Sequence, residues 1–120
     1  MLKIFSPFIL FAVIYSTAFA QADYGVEEDS YNIAVLLPFT DKGKPYLERR
    51  SYQVLEGIKY AVHLHNKTSD KKIGLFIRDT RTDSSFIVTL KKEVQGFKNL
   101  KGIIGSTSSQ DSRDLITVFA

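Results

Sequence analysis

The densest chemistry in the chain lies in Lys101 to Ser112, which reads K-G-I-I-G-S-T-S-S-Q-D-S. A short apolar run, Gly102-Ile103-Ile104, enters Gly105, and Ser106, Thr107, Ser108 and Ser109 follow before a helical pattern begins. A helix start leaves backbone N–H groups without intrahelical partners, and the helix dipole adds partial positive charge there. Hydroxyls beside those donors make a seat for an anion. One Ser or Thr is enough for an N-cap, so a row of four exceeds what capping requires. Neutral donors, each worth about 1 kcal/mol net, suit reversible holding of a ligand.

Other candidates read more simply. Asp79 and Asp83 have neither the spacing of a catalytic acid pair nor that of a complete metal loop; turn formation and helix capping account for both. His63 and His65 are two residues apart and would point to different faces of a helix, and the chain has no Cys, so no zinc site is expected. Asn66-Lys67-Thr68 is a glycosylation sequon, meaningful only in a eukaryotic secretory route. No phosphate-binding glycine loop and no Ser/His/Asp order stands out. The expectation is a binding protein, not an enzyme, with no cofactor and no metal.

Composition bounds where such a protein works. Of 120 residues, 44% are hydrophobic and 24% charged, an ordinary globular balance. Met1 to Ala20 carries one charge, Lys3, then an apolar stretch from Ile4 to Tyr15 and small residues ending Ala18-Phe19-Ala20. That is the pattern of a secretory signal peptide cleaved after Ala20, and the apolar stretch is short of the ~20 residues a membrane-spanning helix needs. No cysteine follows for lipid attachment, so the mature product is expected in the periplasm or secreted. Loss of Lys3 takes the net charge from +3 to +2, and the remaining basic residues are scattered among acidic ones, which argues against nucleic acid.

The elements that must position the hydroxyl row come in order. Gln21 to Ser30 is a polar lead-in. Ile33 to Leu37 is a continuous apolar run closed by Pro38, as in a strand buried on both faces. Phe39 to Pro45 is loop. From Leu47 to His65, Ser51, Val54, Leu55, Ile58, Ala61, Val62 and His65 recur at helical spacing. Asn66 to Lys72 is polar loop, and Ile73 to Ile77 a second strand. Asp83 caps a helix whose stripe is Ile87, Leu90, Val94 and Phe97, with Gly96 and Asn99 loosening its end. Lys101 to Gly105 is a third buried strand, and Asp111 to Ala120 begins a third helix. This alternation predicts an α/β fold, a three-layer parallel sheet with helices on both faces. The apolar ending Leu115 to Ala120, without a C-cap, leads us to expect residues 31–120 to be an incomplete lobe of a longer protein.

Four segments carry a resemblance: Ile33 to Thr40 (I-A-V-L-L-P-F-T), Leu55 to Asn66 (L-E-G-I-K-Y-A-V-H-L-H-N), Ile77 to Asp83 (I-R-D-T-R-T-D) and Gly102 to Ser109 (G-I-I-G-S-T-S-S). In this order they resemble type I periplasmic binding proteins, in particular the leucine/isoleucine/valine-binding type of ABC-transporter substrate-binding protein. The resemblance implies two α/β lobes closing on a small ligand, of which this chain holds the N-terminal one. It implies that Ser109, with Thr107 and Ser108 beside it, holds a ligand carboxylate. It also implies an aromatic cover from the first loop, for which Tyr46 is the candidate, although that loop is longer than usual and reads Thr40-Asp41-Lys42 in place of the common S-G-P. The implied ligand is an amino acid or amide, and the implied partner is a membrane transporter permease. The same fold also serves as an interaction module, as in penicillin-binding-protein activators, and as the sensory ectodomain of receptors.

Overall fold

The computed structural model describes residues 23–120; the expected signal peptide lies outside the described residues. Three strands, β1 (Tyr31–Leu37), β2 (Ile73–Asp79) and β3 (Leu100–Ile104), alternate with three helices, α1 (Pro45–Thr68), α2 (Ser84–Gln95) and α3 (Ser109–Phe119). The strands form one parallel sheet in the order β2-β1-β3. Among the described residues no helix is long and apolar enough to cross a membrane.

The unbroken apolar run of β1 follows from its central place. Successive side chains of a strand point to opposite faces, and here both faces are covered. Val35 and Leu37 pack with Leu75 and Ile77 of β2 against Leu55 and Val62 of α1. Ala34 and Leu36 pack on the other side against Ile87, Leu90 and Val94 of α2 and Leu115 of α3. The sheet is thus the middle of three layers, with α1 on one face and α2 and α3 on the other. Each fully buried aliphatic side chain in these clusters contributes about 1.5–3 kcal/mol by leaving water.

Several boundaries differ from expectation, each for a local reason. Helix α1 runs from Pro45 to Thr68, beyond the expected Leu47 to His65 at both ends. Proline suits the first helical turn, and Asn66 stays helical while its side chain bonds Ile73 twice, accepting from its N–H at 2.8 Å and donating to its C=O at 2.9 Å. Of the expected stripe, Ser51, Leu55 and Val62 are buried together with Leu47, whereas Ala61 and His65 are exposed. Strand β2 continues to Asp79 because it stays paired with β1 through Leu37. Helix α3 starts at Ser109, two residues before expected.

The largest correction concerns β3. It is not a buried strand: Ile103 and Ile104 are 41% and 38% exposed. With β1 in the centre, β3 is an edge, and no described strand pairs with its outer side. The other edge is treated differently. Tyr24 exchanges two backbone hydrogen bonds with Leu75 of β2, at 2.9 and 2.7 Å, and Asp23 pairs with Arg78 at 2.7 Å. The polar lead-in is therefore a docked arm from Asp23 to Ser30. Gly74 makes room for it, since a Cβ there would lie 2.7 Å from Val26 Cα.

Candidate functional site

A parallel sheet sends all its strand-to-helix loops out at one end. Here the loops 38–44, 80–83 and 105–108 leave the C-terminal ends of β1, β2 and β3 and run into the starts of α1, α2 and α3. Because α1 packs on one face and α3 on the other, the loops after β1 and β3 lead to opposite faces of the sheet, the kind of strand end at which α/β sheets hold ligands.

Aspartates fix these loops. Asp79 Oδ1 accepts from Phe39 N at 3.0 Å, Thr40 N at 3.2 Å and Arg81 N at 2.9 Å, clamping the first loop to the second. Asp41 Oδ1 accepts from Gly43 N and Lys44 N, at 3.0 and 3.1 Å, and closes the turn into α1. Asp83 caps α2, accepting from Ser85 N at 3.0 Å and Phe86 N at 3.3 Å. The turn and capping roles expected for Asp79 and Asp83 are what the structure displays.

The hydroxyl row is divided among separate tasks. Ser108 is the N-cap of α3, its hydroxyl accepting from Asp111 N at 3.2 Å. Thr107 meets Ser51 of α1 hydroxyl to hydroxyl at 3.0 Å, a bond that ties the approach to α3 to α1. Ser106 donates to Asp111 Oδ2 at 2.9 Å, and Thr80 donates to the same oxygen. Ser109, the first residue of α3, is exposed, and its hydroxyl forms no hydrogen bond among the described residues. Gly105 brings the row close to the core: a Cβ there would stand 2.7 Å from the Leu36 carbonyl oxygen and 2.8 Å from Leu115 Cδ1.

Asp111 is the residue that sequence reasoning missed. It is fully buried, and its Oδ1 has no hydrogen-bond partner among the described residues. Burial raises its pKa above the ordinary 3.8; the Thr80 and Ser106 hydroxyls oppose that shift, and the negative charges of Asp114 and Asp79 add to it. Asp83 moves the other way, held below 3.8 chiefly by the Ser85 hydroxyl and the Phe86 N–H. Ser108 followed three residues later by an acid resembles a capping box, a signal available in the sequence. The reciprocal half is absent, because the Asp111 side chain turns inward to Thr80 and Ser106.

An open depression of about 1150 Å³ lies over these loops, lined by residues at all three helix starts, among them Lys44, Asp83, Ser84 and Gln110. None of the expected ligand residues, Ser109, Ser108, Thr107 or Tyr46, lines it; of α3 only Gln110 does, and Tyr46 is 50% exposed near the start of α1. The aromatic nearest the first loop's base is instead Phe39, buried and tilted against Tyr52 with ring centroids 5.0 Å apart. His63 and His65 are both exposed, and His65 Nε2 bonds the Lys71 carbonyl at 2.9 Å. No family model, no curated protein and no solved structure matches the chain.

Proposed function

We propose that this chain is the N-terminal lobe of an exported solute-binding protein of the leucine-binding type. It takes a small carboxylate ligand, an amino acid or amide, and delivers it to a membrane transporter. The observation that carries the reading is the divergence of the loops after β1 and β3, where the hydroxyl-bearing start of α3 meets Ser51 of α1. A ligand carboxylate set there meets the free N–H groups of the first turn of α3 and the unengaged Ser109 hydroxyl. The bonds are neutral and reversible, as a carrier requires, and the ligand acts by favouring the closed arrangement of two lobes over the open one. Calorimetric titration of the mature full-length protein with amino acids, before and after Ser109→Ala, tests this. We expect binding weakened about fivefold in the variant, the loss of one hydrogen bond of roughly 1 kcal/mol. Absence of binding by every amino acid and amide tried, or binding indifferent to Ser109, sinks the assignment.

A second reading has an observation of its own. Ser106, Thr107 and Ser108 all have partners inside the protein. That internal commitment favours an interaction module of the same fold, such as a penicillin-binding-protein activator, in which the cleft carries no solute. A sensory ectodomain has no separate observation in its favour. A folded protein that binds no amino acid or amide in the same titration would favour the module.

A further inference from the structure

One buried acid takes no part in the proposed site. Asp111 is fully buried, yet only Oδ2 of its carboxyl has partners, and Oδ1 has none among the described residues. A buried carboxylate oxygen without a donor is costly and marks a group that can give up its charge. No cation offsets it: Asp111 forms no ion pair among the described residues. The charges that act on it are two more acids, Asp114 one turn along α3 and Asp79 at the end of β2. Other charged groups on the surrounding elements are engaged elsewhere. Asp83 caps α2, Arg81 lies over the Phe86 ring, and Arg113 is bonded to Gln110. On that side of the sheet β1 and α2 contribute apolar packing, Ala34 and Leu36 against Ile87 and Leu90.

The partners of Oδ2 are two hydroxyls in matching arrangements. Thr80 and Ser106 each donate to it. Each also accepts from the backbone N–H two residues further along its own loop, Thr80 from Thr82 at 3.4 Å and Ser106 from Ser108 at 3.4 Å. A hydroxyl has one hydrogen to give and two lone pairs with which to accept. With Asp111 ionised, both hydrogens go to the carboxylate and both loops are tied to it. A neutral acid has a proton of its own to place. Oδ1 has no neighbour among the described residues to receive that proton, so it sits on Oδ2 and is donated to one of the two hydroxyls. The hydroxyl that accepts it must turn its own hydrogen elsewhere. Thr80 is fully buried, which closes that course to it, whereas Ser106 is half-buried and can turn its hydrogen to water.

We infer that Asp111 is a proton-operated switch on the loop that leads into α3: ionised, it receives the Ser106 hydrogen; neutral, it donates to Ser106 and releases that hydrogen. Thr80 stays bonded in both states, so the loop after β2 is the fixed side and residues 105–108 are the moving one. The reversal reaches the backbone because Ser106 is also the acceptor for the Ser108 N–H, and Ser108 is the N-cap of α3. Burial and the neighbouring acids favour the neutral form and place the midpoint of the switch above the ordinary 3.8. The switch is independent of the solute reading and operates in a carrier or an interaction module alike.

The test follows the isotope-labelled mature full-length protein by NMR across the acid-to-neutral range. The Ser108 amide should move with the same midpoint as the Asp111 carboxyl, and by about twice as much as the Thr82 amide. In Asp111→Asn, whose side-chain amide donates at every pH, the Ser108 amide should hold still. In Ser106→Ala the carboxyl should still titrate, at a higher midpoint for want of one donor, while Ser108 no longer follows it. Asp114→Asn keeps the network and removes one neighbouring charge, so it should lower the carboxyl and Ser108 midpoints together. That variant decides the matter if thermal melts show either of the others to be unfolded. A Ser108 amide that is flat through the Asp111 titration, that has a midpoint of its own, or that still titrates in folded Asp111→Asn overturns the switch. A Thr82 amide that moves more than that of Ser108 overturns it too, because the motion is then not at Ser106.

Discussion

Helices α2 and α3 begin in the same setting, at the C-terminal end of a parallel strand, and each has an aspartate at its start. Asp83 stands outside α2 as its cap, exposed, surrounded by donors, and held more acidic than usual. Asp111 lies inside the first turn of α3, sealed from water, with one oxygen receiving two hydroxyls and the other receiving none among the described residues. Its pKa is displaced upward. One residue type in one kind of position thus serves two purposes. At α2 the carboxylate supplies charge where backbone donors need it. At α3 it is a buried acceptor that ties the β2–α2 loop to the hydroxyl row, and a serine does the capping in its place.

Asp111→Ala is the sharpest way to break this contrast. It strands the Thr80 and Ser106 hydroxyls without their acceptor, and we expect a loss of about 3 kcal/mol in urea denaturation at neutral pH. Asp111→Asn keeps an acceptor and should lose less. A loss for Asp111→Ala no larger than that for Asp83→Ala would erase the distinction between the two sites.

The pH dependence separates them next, and with opposite sign. Because the folded pKa of Asp111 lies above 3.8, the folded state binds its proton more tightly than the unfolded state. The proton-linked part of its contribution is complete below 3.8 and falls away as pH rises through the folded value, while the bonds from Thr80 and Ser106 remain. For Asp83 the folded pKa lies below 3.8. Its contribution is present above 3.8 and is lost as pH falls through the folded value. Denaturation curves taken on both sides of pH 3.8 should flatten on the alkaline side in Asp111→Asn and on the acid side in Asp83→Asn. Parallel shifts in the two variants would contradict the assignment.

The smallest effect contrasts neighbouring serines. Ser108→Ala removes the cap of α3 and should cost about 1 kcal/mol. Ser109→Ala removes a hydroxyl with no internal partner and should stay within about 0.5 kcal/mol in the same denaturation assay. A structural cost at Ser109 equal to that at Ser108 would mean that both serve the helix and that neither is free for a ligand.

Much of this fold is legible from local pattern. The apolar runs at Ile33 and Ile73 and the stripe Ile87, Leu90, Val94 are consequences of packing on one or two faces, and such periodicity survives in the sequence. The Asp83 cap is legible for the same reason, since its donors lie two and three residues away. Lateral order is not written locally. Gly102-Ile103-Ile104 has the composition of a buried strand, but which strand lies beside it depends on how whole βαβ units stack, and β3 falls at the edge. Asp111 was hidden by a related ambiguity. An acid in the first helical turn ordinarily offsets the dipole from outside, and only the approach of Thr80 from 31 residues away turns it inward. The row Ser106 to Ser109 is legible as the approach to α3, but neither that row nor Tyr46 lines the depression, whose residues come from loops that turn chemistry alone does not bring together. Arg81 and Thr82 gave no signal at all, because left-handed backbone at non-glycine residues has no compositional mark.

The uneven treatment of the sheet's two edges bears on how the protein behaves in concentrated solution. The outer side of β3 offers backbone donors and acceptors to any extended chain that arrives, and Ile103 and Ile104 make its faces adhesive. Lys101 is the single charge on that strand, and its ammonium lies 5.0 Å from the Tyr31 ring centre, which Lys71 also approaches, at 4.2 Å. One lysine, drawn towards a neighbouring ring, is a thin barrier to edge-to-edge growth. Among the described residues Lys101 is therefore the charge that guards this margin, and its loss would leave β3 open to pairing with another extended segment.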